Sequence, residues 1–119
     1  MQAINLEEKF GRFSDQWAPK IVAQVNDLHI KAVKVRGEFV WHAHADTDEL
    51  FMVVKGRLTI RLRGREVRLG AGELFVVPKG VEHMPVAEDE CEILLIEPAG
   101  TVNTGDAGGA LTQSEDPWI

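Results

Sequence analysis

The chain is short of cysteine, of positive charge and of long apolar runs, and each shortage removes a class of protein. Cys91 is the only cysteine among 119 residues, so no intrachain disulfide can form. Lysine and arginine number 13 against 19 acidic residues, a formal net charge of -6. A general nucleic-acid role needs a basic face, so no nucleic-acid partner is expected. No window approaches the roughly 18–20 apolar residues of a membrane span, so no membrane partner is expected either. The opening Met1-Gln2-Ala3-Ile4-Asn5-Leu6-Glu7-Glu8 carries acid early and has no apolar run, so a secretory signal is not expected. The expected location is cytoplasmic. There are no internal repeats.

What remains is ordinary for a globular domain, with 45% hydrophobic and 27% charged residues. The length suits one domain, large enough to bury a core without staples. Asn5 is a good helix N-cap, with Glu8 placed to reach back to it. Leu6, Phe10 and Phe13 then share a face of a short helix. Trp17 anchors the loop that follows, and Pro19 ends any helix before it.

From residue 20 onward the pattern predicts strands over 21–25, 28–36, 38–44, 49–54, 58–62, 66–69, 74–77 and 91–96. Turn signals separate them, among them Asn26-Asp27, Gly37, Asp46-Thr47-Asp48, Arg63-Gly64-Arg65 and Pro78-Lys79-Gly80. Short strands with Gly and Pro punctuation, and no interleaved helices, indicate an all-β sandwich or barrel. The clearest hairpin sets Leu58, Ile60 and Leu62 against Val67 and Leu69 on one dry face. Two segments, 50–54 and 93–96, are apolar on both faces. Their outer sides need cover, either from a subunit interface or from the chain's own N-terminal arm. After Pro98 the chain turns rich in Gly, Thr, Ser and Asp and reads as a loosely packed or strapped tail. The divisions expected are 1–27 for the helix and arm, 28–98 for the barrel and 99–119 for the tail.

Three of the four histidines fall in two blocks. The first is Gly37-Glu38-Phe39-Val40-Trp41-His42-Ala43-His44-Ala45-Asp46-Thr47-Asp48-Glu49, closing at Gly56. The second is Gly72-Glu73-Leu74-Phe75-Val76-Val77-Pro78-Lys79-Gly80-Val81-Glu82-His83. His42 and His44, two apart in an expected strand, project from the same face. Glu49 reaches that face only if the chain bends over Asp46–Asp48. His83 would close the site from another strand region. Three imidazoles and a carboxylate suit one divalent transition metal (Mn, Fe, Co, Ni, Cu or Zn) rather than calcium. An octahedral ion on four protein ligands keeps two positions open. By strand parity, Phe51, Val53 and Val40 line the pocket, while Trp41 and Ala43 point outward. Asp48 could stand in for Glu49 if the register slips by one. His29 reads as a surface or satisfied histidine. Lys55, Arg57, Arg61, Arg63, Arg65 and Arg68 form a basic cluster, read as a solvated face or as pairing with the acidic stretch at 88–92. Cys91 reads as an inert buried thiol.

Both blocks resemble the two motifs of small single-domain cupins. The first motif is usually Gly, five residues, His-x-His, three or four residues, Glu, six residues, Gly. Gly37 here is followed by four residues, and the rest matches. In the second, Gly72, Pro78, Gly80 and His83 match, with Ala87 where Asn is usual. The resemblance spans about residues 28–98. It implies a double-stranded β-helix or jelly-roll barrel with the metal inside, on His42, His44, Glu49 and His83. The first block also resembles stand-alone cupins labelled mannose-6-phosphate isomerase-like, a likeness of barrels rather than of reactions. Three functions are expected candidates. The first is a metal-dependent enzyme on a small organic or carbohydrate substrate, of dioxygenase, isomerase or decarboxylase type. The second is a non-catalytic small-ligand-binding or sensor module. The third, an accessory protein whose barrel is only structural, is the weakest. A homodimer is expected from the two-sided apolar strands.

Overall fold

The computed structural model describes residues 1–119. One short helix, α1 (Leu6–Phe10), precedes seven strands: β1 (Lys20–Val25), β2 (Leu28–Glu38), β3 (Glu49–Lys55), β4 (Arg57–Leu62), β5 (Arg65–Gly70), β6 (Leu74–Val77) and β7 (His83–Pro98). All ladders are antiparallel, and the architecture is the expected all-β jelly-roll barrel. No helix is long and apolar enough to cross a membrane.

β7 organises the barrel. Its first residues, His83–Val86, pair with β4, and its later residues pair with β3 and β2. One 16-residue strand therefore serves both layers. The main layer runs β1-β2-β7-β3-β6, and β5 joins through β4. The predicted hairpin forms in the expected register, with Leu58 opposite Leu69 and Ile60 opposite Val67.

Alternation along the strands produces two apolar regions. Val33 and Val35, Phe51 and Val53, Leu58 and Ile60, and Cys91, Ile93 and Leu95 face inward and make the main core with Trp17, Leu69, Val77 and Ala87. Their even-numbered neighbours Ala32 and Leu94 face outward, under Phe10 and Val22, with Met52, Val54 and Ile119 packed alongside. Cover for that outer face thus comes from the chain's own helix and C-terminus. Burying a Phe of this kind stabilises by about 1.5–3 kcal/mol, enough to hold a helix of five residues that would not form alone. Asn5 caps it by accepting from the Glu8 amide. The Glu8 carboxylate accepts from Arg12 rather than reaching back to the cap.

Two expectations change. The strand predicted over 38–44 is absent: β2 ends at Glu38, and His42 makes only an isolated bridge to His83. The segment still lies beside β7, since the Phe39 N–H donates to Pro85 O. Pro85 has no N–H to return, so no continuous ladder closes there. Second, β7 begins at His83, not at Cys91, because His83–Val86 pair with β4 and Val86 and Ala87 pair with Glu38 and Gly37 of β2, on the near side of the exposed acidic residues 88–90. Of the two readings of the tail, the strapped one describes it. Ile21 N–H donates to Pro117 O, and Ile119 N–H donates to Ile21 O.

Candidate metal centre

The two histidine blocks are tied to each other before any side chain is considered. His42 and His83 exchange both backbone hydrogen bonds, at 3.0 and 2.9 Å. Gly80 N–H donates to His44 O, and Lys79 N–H donates to Asp48 Oδ1. Asp48 is therefore a turn-fastening residue on the surface, not a substitute ligand. The bend at Asp46–Asp48 sends Glu49 inward as the first residue of β3. His42, His44, Glu49 and His83 are all buried, and one donor atom from each lies within 4.8 Å of the others.

Hydrogen bonds behind the rings decide which nitrogen faces the site. His42 Nδ1 sits 2.9 Å from Val40 O, and His83 Nδ1 sits 2.9 Å from Val81 O. A carbonyl only accepts, so each Nδ1 carries the hydrogen and each Nε2 offers a lone pair. His83 Nε2 then faces Glu49 Oε1 at 3.1 Å. Lone pair meets carboxylate there, an arrangement that calls for a proton or a cation between them. His44 Nε2 lies 3.3 Å from the same oxygen but without the angle of a hydrogen bond, and it is a buried nitrogen with no partner. Such an orphaned atom costs stability unless something meets it. Imidazole nitrogens plus one carboxylate oxygen are borderline donors, so the set suits one divalent transition metal.

Electrostatics prepare the site for a cation. Burial, with the His83 ring close beside it, pushes His42 down to about 4, so its ring is neutral at physiological pH. Burial raises the Glu49 carboxyl, but the close approach of the His44 and His83 rings outweighs it and holds the group well below the usual carboxylate range. Burial, reinforced by contact with Glu49, keeps Glu97 well above that range. Cys91 is pushed up to about 12 by burial and by Glu92, which makes it the inert thiol expected.

A narrow cavity of about 20 Å³, room for a water molecule, opens beside His42 and Glu49. Its walls are apolar, with Phe39, Phe51 and Trp17 among them. Phe51 is among the lining residues. Val53 is fully buried in the surrounding core, and Val40 is half-buried with its carbonyl on the His42 ring; neither lines the cavity. Trp41 lies under the Arg63 guanidinium, 3.8 Å from its ring centre. Ala43 does not point outward to solvent. It is buried because the tail docks on its backbone. The hairpin arginines pair with Glu38, Glu66 and Glu82, not with residues 88–92. His29 packs edge-on to Trp118, and its Nδ1 is buried without a partner rather than satisfied.

Four buried polar residues next to this site escaped the sequence reading. Lys31 and Glu97 form an ion pair at 2.8 Å, and Lys31 also meets Asp116 of the tail at 2.6 Å. Strand parity contained the signal for two of them. Lys31 shares inward parity with Val33 and Val35, and Glu97 shares it with Ile93 and Leu95. Asn103 lines the cavity and accepts from the Gln113 amide while donating to Trp17 O and Leu111 O. Nothing in the glycine-rich tail marked Asn103 or Asp116.

Comparison with known proteins agrees with this geometry. The family described as "Cupin domain" matches residues 30–97. A cupin-2 domain containing protein from Shewanella frigidimarina NCIMB 400 is 54% identical, with a TM-score of 0.79 over 80% of this chain and 93% of that one. Protein NMB1881 from Neisseria meningitidis is 30% identical, with a TM-score of 0.75 over 82% of this chain and all of that one. The uncharacterized protein YdbB of Bacillus subtilis (strain 168) is 35% identical across 68% of this chain and 66% of its own length. The chain belongs to the cupin domain family.

Proposed function

We propose that this cupin is a metal-dependent enzyme for a small organic or carbohydrate substrate, with one divalent transition metal held by His42, His44, Glu49 and His83. The observation that carries the reading is the convergence of four buried donor atoms within 4.8 Å, two of them on imidazoles locked through Nδ1. A cation held there supplies Lewis acidity, to polarise a carbonyl or hydroxyl oxygen or to orient dioxygen. The chain's own residues do the rest. His42 and His83 present fixed Nε2 lone pairs, Glu49 supplies the balancing negative charge, and Phe39, Phe51 and Trp17 keep water out.

Asn103 is the one polar side chain of the cavity outside the ligand set, and its amide is committed to the tail and to Trp17. The cavity therefore holds no free general acid or base. That favours dioxygenase, isomerase or decarboxylase chemistry centred on the metal over acid–base catalysis by side chains.

The small, apolar cavity also favours a second reading, a non-catalytic ligand-binding or sensor cupin. Elemental analysis of protein from its native host, then a substrate screen of the metal-loaded protein against His44→Ala, separates the two. Turnover by the wild type that His44→Ala loses supports the enzyme. A compound that shifts the melting temperature without being turned over supports the binding module. Turnover undiminished in His44→Ala sinks the metal's catalytic role.

The proposal includes cytoplasmic residence and a homodimer. The exposed Leu74 and Val76 on the edge strand β6 give a second copy an apolar strand to join. A solution mass near 13.2 kDa at all concentrations would contradict the dimer.

A further inference from the structure

We propose that docking of the C-terminal tail and metal binding are coupled through the buried chain Asp116–Lys31–Glu97, with Glu97 acting as a positioning residue for the ligand Glu49. The inference rests on the metal-binding reading above and extends it to residues outside the ligand set.

Two anchors hold the tail, and both end on elements that carry ligands. The first is at Ala43, between His42 and His44. Ala43 N–H donates to Asp106 Oδ1 at 2.9 Å, and Asp106 N–H donates back to Ala43 O at 3.1 Å. The approach is so close that a Cβ on Gly105 would stand 2.3 Å from Ala43 O and 3.2 Å from His44 Nδ1. Only glycine, here at φ +53, fits. The backbone that aims two histidines is thus backed by the tail.

The second anchor is Lys31. Its ammonium meets Asp116 Oδ2 at 2.6 Å and donates to Glu97 Oε2 at 2.8 Å and to Thr101 O at 3.2 Å. Lys31 and Glu97 are each 1% exposed, and the Asp116 side chain is 6% exposed. The β3–β7 register that sets Leu50 opposite Ile96 and Phe51 opposite Leu95 brings Glu97 abreast of Glu49, and both are buried. With Lys31 holding its Oε2, Glu97 backs Glu49 from the neighbouring strand. Releasing Asp116 removes one of the groups that fix the Lys31 ammonium, and the support of Glu49 loosens with it.

An ion triad whose only task is to hold the fold could be replaced by apolar groups at little cost. Contact with a metal ligand is what such a replacement would forfeit. Coupling between two sites is reciprocal in free energy, so whatever tail docking adds to metal affinity, the metal returns to tail docking.

The test uses full-length protein and zinc ion alone as the probe. Zinc affinity is measured by chelator competition, and hydrogen exchange is followed at the amides of Ile119, Ile21 and Asp106. We expect zinc to slow exchange at these three amides in the wild type. Asp116→Asn and Glu97→Gln should each weaken zinc binding by ~10-fold, the usual scale for a residue supporting a ligand. Both should also abolish the zinc-dependent slowing at Ile119 while keeping it at the Gly80 amide, which donates to His44 O. A purely structural triad would shift the melting temperature and leave that zinc-dependent difference intact. Zinc binding with unchanged exchange at Ile119 and Asp106 in the wild type overturns the coupling alone, and this arm needs no variant to fold. Full zinc affinity in folded Asp116→Asn also overturns it. A wild type that binds no divalent metal overturns the metal reading together with the coupling.

Discussion

Two buried polar clusters lie side by side in this barrel, and they differ in how their charge is balanced. In one, the Lys31 ammonium sits between the Glu97 and Asp116 carboxyls, at 2.8 and 2.6 Å. In the other, three imidazoles and the ionised Glu49 converge with no cationic side chain among them, and His44 Nε2 is left without a partner. The first cluster holds a cation of its own, though Glu97 Oε1 and Asp116 Oδ1 lack hydrogen-bond partners. The second holds none. Burial is the same in both, so burial alone does not mark a candidate site; a convergent donor set without a cation does.

The comparison breaks most visibly at Lys31. Replacing it by Met leaves two carboxyls buried without their cation, and the stability loss should be about 3–5 kcal/mol, read as a fall in the urea midpoint. The metal cluster should respond in the opposite sense to an added cation. Zinc at roughly a hundredfold excess over its Kd should stabilise the wild type by about 3 kcal/mol, and His44→Ala should lose most of that gain in a thermal melt.

Proton competition provides a subtler contrast. The His42 pKa is lowered from 6.5 to about 4 on folding, so between those values the unfolded chain takes up a proton that the folded site refuses. Stability of the metal-free protein should therefore fall as pH drops through this window, by about 2 kcal/mol between pH 6.5 and 5. Urea titrations at several pH values should show the slope, and His42→Gln should flatten it. The smallest effect belongs to a charge pair in water. Arg63 and Glu82 are 3.4 Å apart but more than half exposed. Arg63→Gln should change stability by less than about 1 kcal/mol, with zinc affinity untouched.

Much of the site was legible in the chain. His42, His44, Glu49 and His83 could be read from residue type and spacing, and the bend required to turn Glu49 inward could be read from Asp46–Asp48. The route by which the histidines converge could not. They sit on an irregular segment, not on the strand their alternation suggested, because Pro85 on the neighbouring strand has no hydrogen to give. Their orientation comes from Val40 and Val81 carbonyls, and every sequence has carbonyls everywhere. Likewise, nothing local in 88–90 says that β7 runs through it; the pairing on either side does, with β4 and β2 before it and with β2 from Cys91 on. Lys31 and Glu97 were open to parity reasoning, but Asp116 was not, since its partner is decided only when the tail folds back.

By itself the sequence determined the all-β class, the clearest hairpin and the identity of the four residues of the candidate metal centre, because side-chain alternation and donor chemistry are local properties. Tertiary structure alone decided that Glu97 stands beside Glu49, that the tail straps the outside of the barrel, and that the cavity beside the ligands is small and apolar. Those features depend on which segments meet, and contacts between residues far apart in the chain leave no period or spacing to read.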